Sequence, residues 1–377
     1  MGEAMPITAE VVTWARERAG FSVDAAMADF RKIAEWEAGE AFPSYPQLER
    51  MAERFKVPVA VFFFPAPPDL PSIEETFRTL GPDQIAEIPP RIRLLLRKAR
   101  TFQMSLAELH GDRNPAERLI TRDLAFRPTD RIGQIAARVR AYLGVTLEQQ
   151  FAWDDIDTAL EAWRKALLGV GIHVFKDQFR APDHSGFCLH DDEFPIIYVN
   201  DNTAKTRQIF TLFHELAHLL FHTSGIDTRG DDFVNELAGD DRQIEVICNR
   251  MAAALLVPEE TFDATFAGRE PTEATAADLA QLFGVSRELV FGKFLDRGLI
   301  APAAYERAAQ RWAYQGQRGF GGDYCNTKIA HLGTEFVNLA FQRFHQNRID
   351  YDQLADILDT KPKNLTRLEE YVSRRAP

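Results

Sequence analysis

The chain is poor in cysteine, with three in 377 residues. Cys188, Cys248 and Cys325 are too few and too scattered for a disulfide framework or a C-x-x-C metal site. Such usage fits a reducing cytoplasm. No segment approaches twenty uninterrupted apolar residues, which argues against a membrane span. The start, MGEAMPITAEVVTWARERAG, lacks the basic-then-apolar layout of a secretory signal. There is no G-x-S-x-G, and no cysteine stands in a histidine pattern that suggests a nucleophile. The glycine-rich stretch QGQRGFGGD lacks the Gly-Lys-Ser/Thr ending of a phosphate loop and reads as a connection. Internal repeats and low-complexity tracts are missing too. A net charge of −12 speaks against nonspecific binding to nucleic acid or to an anionic membrane. What remains is globular material, 45% apolar and 27% charged, with length for two or three domains.

Residues 1–64 read as short helices ending in VPVAVFFF, and PAPPDLPS follows as a proline-rich connector. A second break, GPDQIAEIPP, precedes RIRLLLRKARTFQMSLAELH. That segment is an amphipathic helix with Ile92, Leu95, Leu96, Ala99, Phe102 and Leu106 on one side and its arginines on a solvated face. DDIDTALEAWRKALLG is a helix with Ile156, Leu160, Trp163 and Leu167 on its buried stripe, ended by Gly169. IHVF, SGFCLH and FPIIYVN read as strands, and Asn202 or Thr203 is placed to cap the helix that follows. Helices continue after Pro258 and again from about residue 324. The pattern predicts a mainly helical α+β chain with a small sheet. Its expected divisions are residues 1–70, 71–150, 151–300 and 301–377.

The helix after FPIIYVN carries the chemistry. In QIFTLFHELAHLLFH, His214 and His218 are four apart and so lie one above the other on a helix face. Two imidazoles can then address one ion, with Glu215 beside them to take a proton from water. The flanking apolar residues bury the helix almost all round, and a buried ionisable pair needs a partner that a metal supplies. His222 is eight residues from His214, about 12 Å along a straight helix. Zinc–nitrogen bonds are about 2.0–2.1 Å, so one ion cannot hold both, and His222 reads as a cap or outer-shell group. The longer pattern H-E-x-x-H-x-x-G-x-x-H fails, with Phe221 and Ser224 where glycine and the third histidine belong.

A third ligand must come from elsewhere. DDRQIEVICNRMAAALLVP reads as a helix from Asp241 whose apolar stripe includes Glu245. A carboxylate on such a stripe points to metal ligation or to a salt bridge with Arg242 or Arg250. Glu236, Asp240, Asp241 and Cys248 are the other donors in reach.

The residues FTLFHELAHLLFH, EVICNRMAAALLVP and FPIIYVN, with TFRTL and GVSRELVFGKFLDRGLI, resemble the ImmA/IrrE family of bacterial metallopeptidases fused to an Xre-type helix-turn-helix region. The resemblance implies a gluzincin-like fold, zinc on His214, His218 and Glu245, and Glu215 as catalytic base. It also implies a regulatory protein as substrate, a repressor or antitoxin-like partner in a stress, phage or toxin–antitoxin response. Zinc is preferred on ligand type, with manganese and iron as alternatives. His184, His190, Tyr198 and His222 are candidates for the oxyanion donor or an outer-shell role. FPIIYVN or SGFCLH, as an edge strand, would align an extended peptide, and Pro195 is compatible with an edge.

WARERAG, WEAGE and PQLERMAERFKVPVAVFF line up with an Xre module, but the stretch between them is short for two helices and a turn. SVDAAMADFRKIAEWEAG reads as one continuous helix, and residues 1–64 carry more acidic than basic side chains. Both favour a degenerate module for protein contact over a DNA reader. The alternative function is a DNA-binding transcriptional regulator or antitoxin whose zinc domain senses or supports without cutting.

Overall fold

The computed structural model describes residues 3–70, 88–127, 129–221, 226–228, 239–313 and 323–374. TFRTL, most of GPDQIAEIPP and residues 315–322 of the glycine-rich connection lie outside them. The chain divides into two compact units, Met1–Lys98 and Ala99–Pro377.

The first unit holds α1 (Ala9–Arg18), α2 (Val23–Met27), α3 (Ile33–Glu37), α4 (Tyr45–Phe55) and a 3-10 turn, Val59–Phe63. Val11, Val12, Ala15, Ile33, Trp36, Leu48, Met51, Phe55 and Phe62 form its core. Arg16 is buried but satisfied, donating to Glu37 Oε1 at 2.6 Å and to the Phe21 carbonyl at 2.7 Å. The expected single helix through SVDAAMADFRKIAEWEAG is broken between Met27 and Ile33. Six residues apart on an unbroken helix, Phe30 and Trp36 would point about 120° apart. The break lets their rings approach to 6.3 Å, with Phe30 edge-on to Phe55 at 5.8 Å. Tertiary packing overrides local helix preference here. Within the arginine face expected in solvent, Arg97 departs from that reading: it donates to the Phe55 carbonyl at the end of α4, and burial pushes it down to about 10.

The helix α5 (Pro90–His110) buries the stripe Ile92, Leu95, Leu96, Ala99, Phe102 and Leu106. After it come α6 (Ile120–Asp123), α7 (Ile132–Leu143), α8 (Leu147–Phe151) and α9 (Ile156–Leu168). Three strands follow: β1 (His173–Asp177), β2 (His184–Leu189) and β3 (Ile196–Asn200). Next are α10 (Lys205–Leu220), β4 (Ile226–Thr228) and α11 (Gly239–Leu256). The chain continues through α12 (Glu259–Phe266), α13 (Glu273–Phe283), α14 (Arg287–Asp296) and α15 (Pro302–Ala313). It closes with α16 (Tyr324–Leu332), α17 (Thr334–His345), α18 (Tyr351–Ile357) and α19 (Leu365–Ser373). Among the described residues, no helix is long and apolar enough to cross a membrane.

The sheet order is β1-β3-β2-β4, with β1 parallel to β3 and β2 antiparallel to both its neighbours. This corrects the edge assignment: SGFCLH and FPIIYVN are interior strands, and the edges are β1 and the unforeseen β4. Pro195 precedes β3 by one residue and uses only its carbonyl, which accepts the His173 N–H at 3.3 Å. A missing N–H is tolerated there. The expected cap of α10 is also corrected. The Asn200 carboxamide accepts the Asn202 N–H at 3.0 Å, the Thr203 hydroxyl donates to the Asn200 carbonyl at 2.8 Å, and α10 begins with no side-chain cap.

Side chains alternate across the sheet. Cys188, Ile197 and Val199 share one core with Leu212, Phe213 and Leu216 of α10. On the other face Phe175, Phe187 and Tyr198 form an aromatic layer closed by Phe102 of α5 and Phe336 of α17. The Phe102–Phe175, Phe187–Tyr198 and Phe175–Phe336 ring distances are 4.6, 5.0 and 5.3 Å. Polar ties fasten α16 to this framework. Arg164 of α9 donates to the carbonyls of Val174 and Ala330 at 3.0 and 2.9 Å. Asp201 receives Lys176 at 3.0 Å and His331 at 3.2 Å.

His173, on β1, is buried with its ring 6.2 Å from that of His110. Burial first, then the neighbouring His110, push it down to about 3. The folded protein therefore keeps it neutral, while the unfolded chain takes up a proton below about pH 6.5. Stability present above that value is lost as pH falls toward 3, at about 1.4 kcal/mol per pH unit from this group. His173→Phe is expected to lose less stability between pH 7 and 5 than the native chain, by about 2 kcal/mol in urea titrations.

Candidate metal centre

The buried helix α10 turns one side of its middle toward α11, and the two contribute the donors found among the described residues. His214 and His218 are buried, while the Glu245 side chain keeps 15% exposure. The two Nε2 atoms are 3.1 Å apart. Glu245 Oε2 lies 3.2 Å from His214 Nε2, and Oε1 lies 3.1 Å from His218 Nε2. Around an ion with bonds of about 2.0–2.1 Å, neighbouring tetrahedral ligands stand about 3.3 Å apart. The three spacings match that edge, and two nitrogens with one carboxylate suit a divalent cation. Among the described residues, these three form the one such group of histidine, cysteine and carboxylate donors. Burial acts to raise Glu245, but the imidazoles of His218 and His214 outweigh it and hold the carboxyl well below the usual carboxylate range.

Asn249 was not singled out from the sequence as part of the site. One helical turn after Glu245, its Oδ1 lies 2.9 Å from His214 Nδ1. A carboxamide oxygen only accepts, so Nδ1 carries the proton and Nε2 presents its lone pair to the other donors. The four-residue spacing from Glu245 is the signal that could have revealed it. Asn249→Leu is expected to lower metal affinity about 10–100-fold, read by competition with a chromophoric chelator, with the helical circular-dichroism signal retained.

Glu215, next in sequence to His214, is fully buried. The other predicted residues are not brought into the donor group. Tyr198 points into the aromatic layer on the opposite face of the sheet, its hydroxyl 3.4 Å from Asp177 Oδ2. His184 opens β2, where its carbonyl accepts the Asn200 carboxamide at 2.8 Å, and His190 follows the end of that strand. Cys248 sits in the apolar core with Leu216 and Met251. His222 and Glu236 lie outside the described residues, and Asp240 and Asp241 lie at the start of α11.

Residues 169–291 match the model of the M78 peptidase family, described as the IrrE N-terminal-like domain. The chain is also similar to the radiation response metalloprotease IrrE of Deinococcus deserti. That likeness is 38% identity over 99 residues, 26% of this chain and 34% of that protein. The Deinococcus radiodurans protein of the same name is 34% identical over 98 residues, 26% of this chain and 29% of the relative. The chain thus spans about a third of the length of the curated relatives it matches. His214, Glu215, His218, Glu245 and Asn249 all fall inside the stretch that resembles an IrrE N-terminal-like domain.

Proposed function

We propose that this chain is a zinc-dependent endopeptidase of the H-E-x-x-H…E type, with a gluzincin-like catalytic domain. Its substrate is a regulatory protein, a helix-turn-helix repressor or antitoxin-like partner in a stress, phage or toxin–antitoxin response. The observation that carries the reading is the trio itself: three donors at tetrahedral spacing, with a buried carboxylate next in sequence to one of them. The names of the similar proteins support it.

In this reading His214, His218 and Glu245 would hold the ion. When bound, zinc supplies a Lewis acid that acidifies water and polarises the scissile carbonyl. Glu215 takes the proton from the attacking water and delivers it to the leaving amine. Its full burial keeps bulk solvent from competing for that proton. Asn249 keeps His214 in the tautomer that binds.

The test pairs metal analysis of chain purified without chelator with proteolysis of proteins encoded beside its gene. About one zinc per chain and a cleavage stopped by chelator and restored by zinc are expected. Sequence-selective DNA binding with no proteolysis would move the assignment to a regulator.

A further inference from the structure

Gly186 lies within β2, paired with Val199 of β3 and Asp227 of β4. Its backbone needs no unusual dihedral, since it is not among the positive-φ glycines. Space is what demands glycine. A Cβ here would stand 2.4 Å from Thr211 Cγ2, 3.0 Å from the Tyr198 carbonyl oxygen and 3.5 Å from Glu215 Oε1. Thr211 and Glu215 are one turn apart on α10, and both are fully buried. The strand therefore rests on the helix at the turn that bears the carboxylate. Thr211 cannot step aside easily, because it is fully buried and close-packed surroundings leave little room for its methyl to turn.

We propose that Gly186 is a positioning residue for Glu215. The bare backbone lets β2 seat against α10 and sets where the Glu215 carboxylate stands relative to the trio. This rests on the peptidase reading above. A methyl at position 186 wedges strand and helix apart at Thr211, one turn before Glu215. The donors come from α10 and α11 and, among the described residues, none from the sheet, so metal binding is spared while the proton acceptor shifts. A displacement of about 1 Å at a reacting group costs about 100-fold in rate.

The experiment compares the native chain with Gly186→Ala, Thr211→Ser and the double variant. Thr211→Ser keeps the hydroxyl and removes the methyl that clashes. The probe is the peptide from a proteome-derived library that the native chain cuts fastest. Gly186→Ala is expected to bind zinc in native stoichiometry, to lose about 100-fold in kcat and to keep KM. Amide hydrogen exchange should rise in the Thr211–Leu216 turn of α10. Thr211→Ser alone is expected to be close to native, and in the double variant it should restore both kcat and exchange protection. Unchanged kcat in Gly186→Ala overturns the proposal, as does a loss that falls on KM or on zinc content, or one that Thr211→Ser does not relieve. A native chain that binds zinc but cuts no peptide sinks the peptidase reading and this proposal with it. A native chain that cuts as well as its Gly186→Ala variant sinks this proposal alone.

Discussion

Glu215→Gln is expected to keep the metal content of the native chain and to lose about 10²- to 10⁴-fold in cleavage rate. The exchange preserves volume in a fully buried position, so packing against the sheet is retained. What disappears is the oxygen that takes the proton from water in the mechanism proposed above. His218→Ala is the complementary variant. It removes one of three donors and leaves Glu245 facing a single imidazole, so metal content itself should fall. Metal analysis and kcat measured on the same preparations separate the two effects. Undiminished cleavage by Glu215→Gln would remove Glu215 from the mechanism, whatever the metal content.

Arg140→Met should produce the largest loss of stability among the substitutions considered. Arg140, on α7, donates through Nε and Nη2 to the Leu255 carbonyl at 3.2 and 2.6 Å. It also donates through Nη1 to the Val145 carbonyl at 3.2 Å and through Nη2 to Gln150 Oε1 at 2.5 Å. Gln150 in turn donates to the carbonyls of Leu256 and Phe283 at 3.0 and 2.7 Å. Together they satisfy the last carbonyls of α11, the helix that also carries Glu245. Burial pushes Arg140 down to about 10, which still leaves it charged at neutral pH. Methionine fills much of the volume but strands buried acceptors, at a cost of about 3–5 kcal/mol. In a unit of this size that lowers Tm by on the order of 10 °C. Arg140→Lys should recover little, because one ammonium cannot serve carbonyls on both sides of a planar fork. A Tm within 2 °C of native, on the order of 1 kcal/mol, would mean that water replaces the guanidinium without loss.

The parts of this molecule that sequence exposes are those with a local period. His214 and His218 meet because four residues make about one helical turn. Glu245 stands out because a carboxylate on an apolar stripe asks for a partner, and the structure supplies two imidazoles. The stripe of α5 is legible for the same reason. Sheet order is not, because the parallel pairing of β1 with β3 depends on a partner strand some twenty residues away that no local pattern names. The break between α2 and α3 is hidden as well, since the rings that impose it include Phe55, far along the chain. Asn249 and Gly186 show another limit. Their places follow from contacts with other elements, and neither residue type advertises them.

The aromatic layer on the outer face of the sheet has a practical consequence. Phe102 and Phe336, which close it, lie on either side of the segment that matches the peptidase family model. A truncated protein of residues 169–291 would leave Phe175 and Tyr198 uncovered as a sticky surface prone to self-association. Inactivity of such a fragment would then report aggregation rather than chemistry.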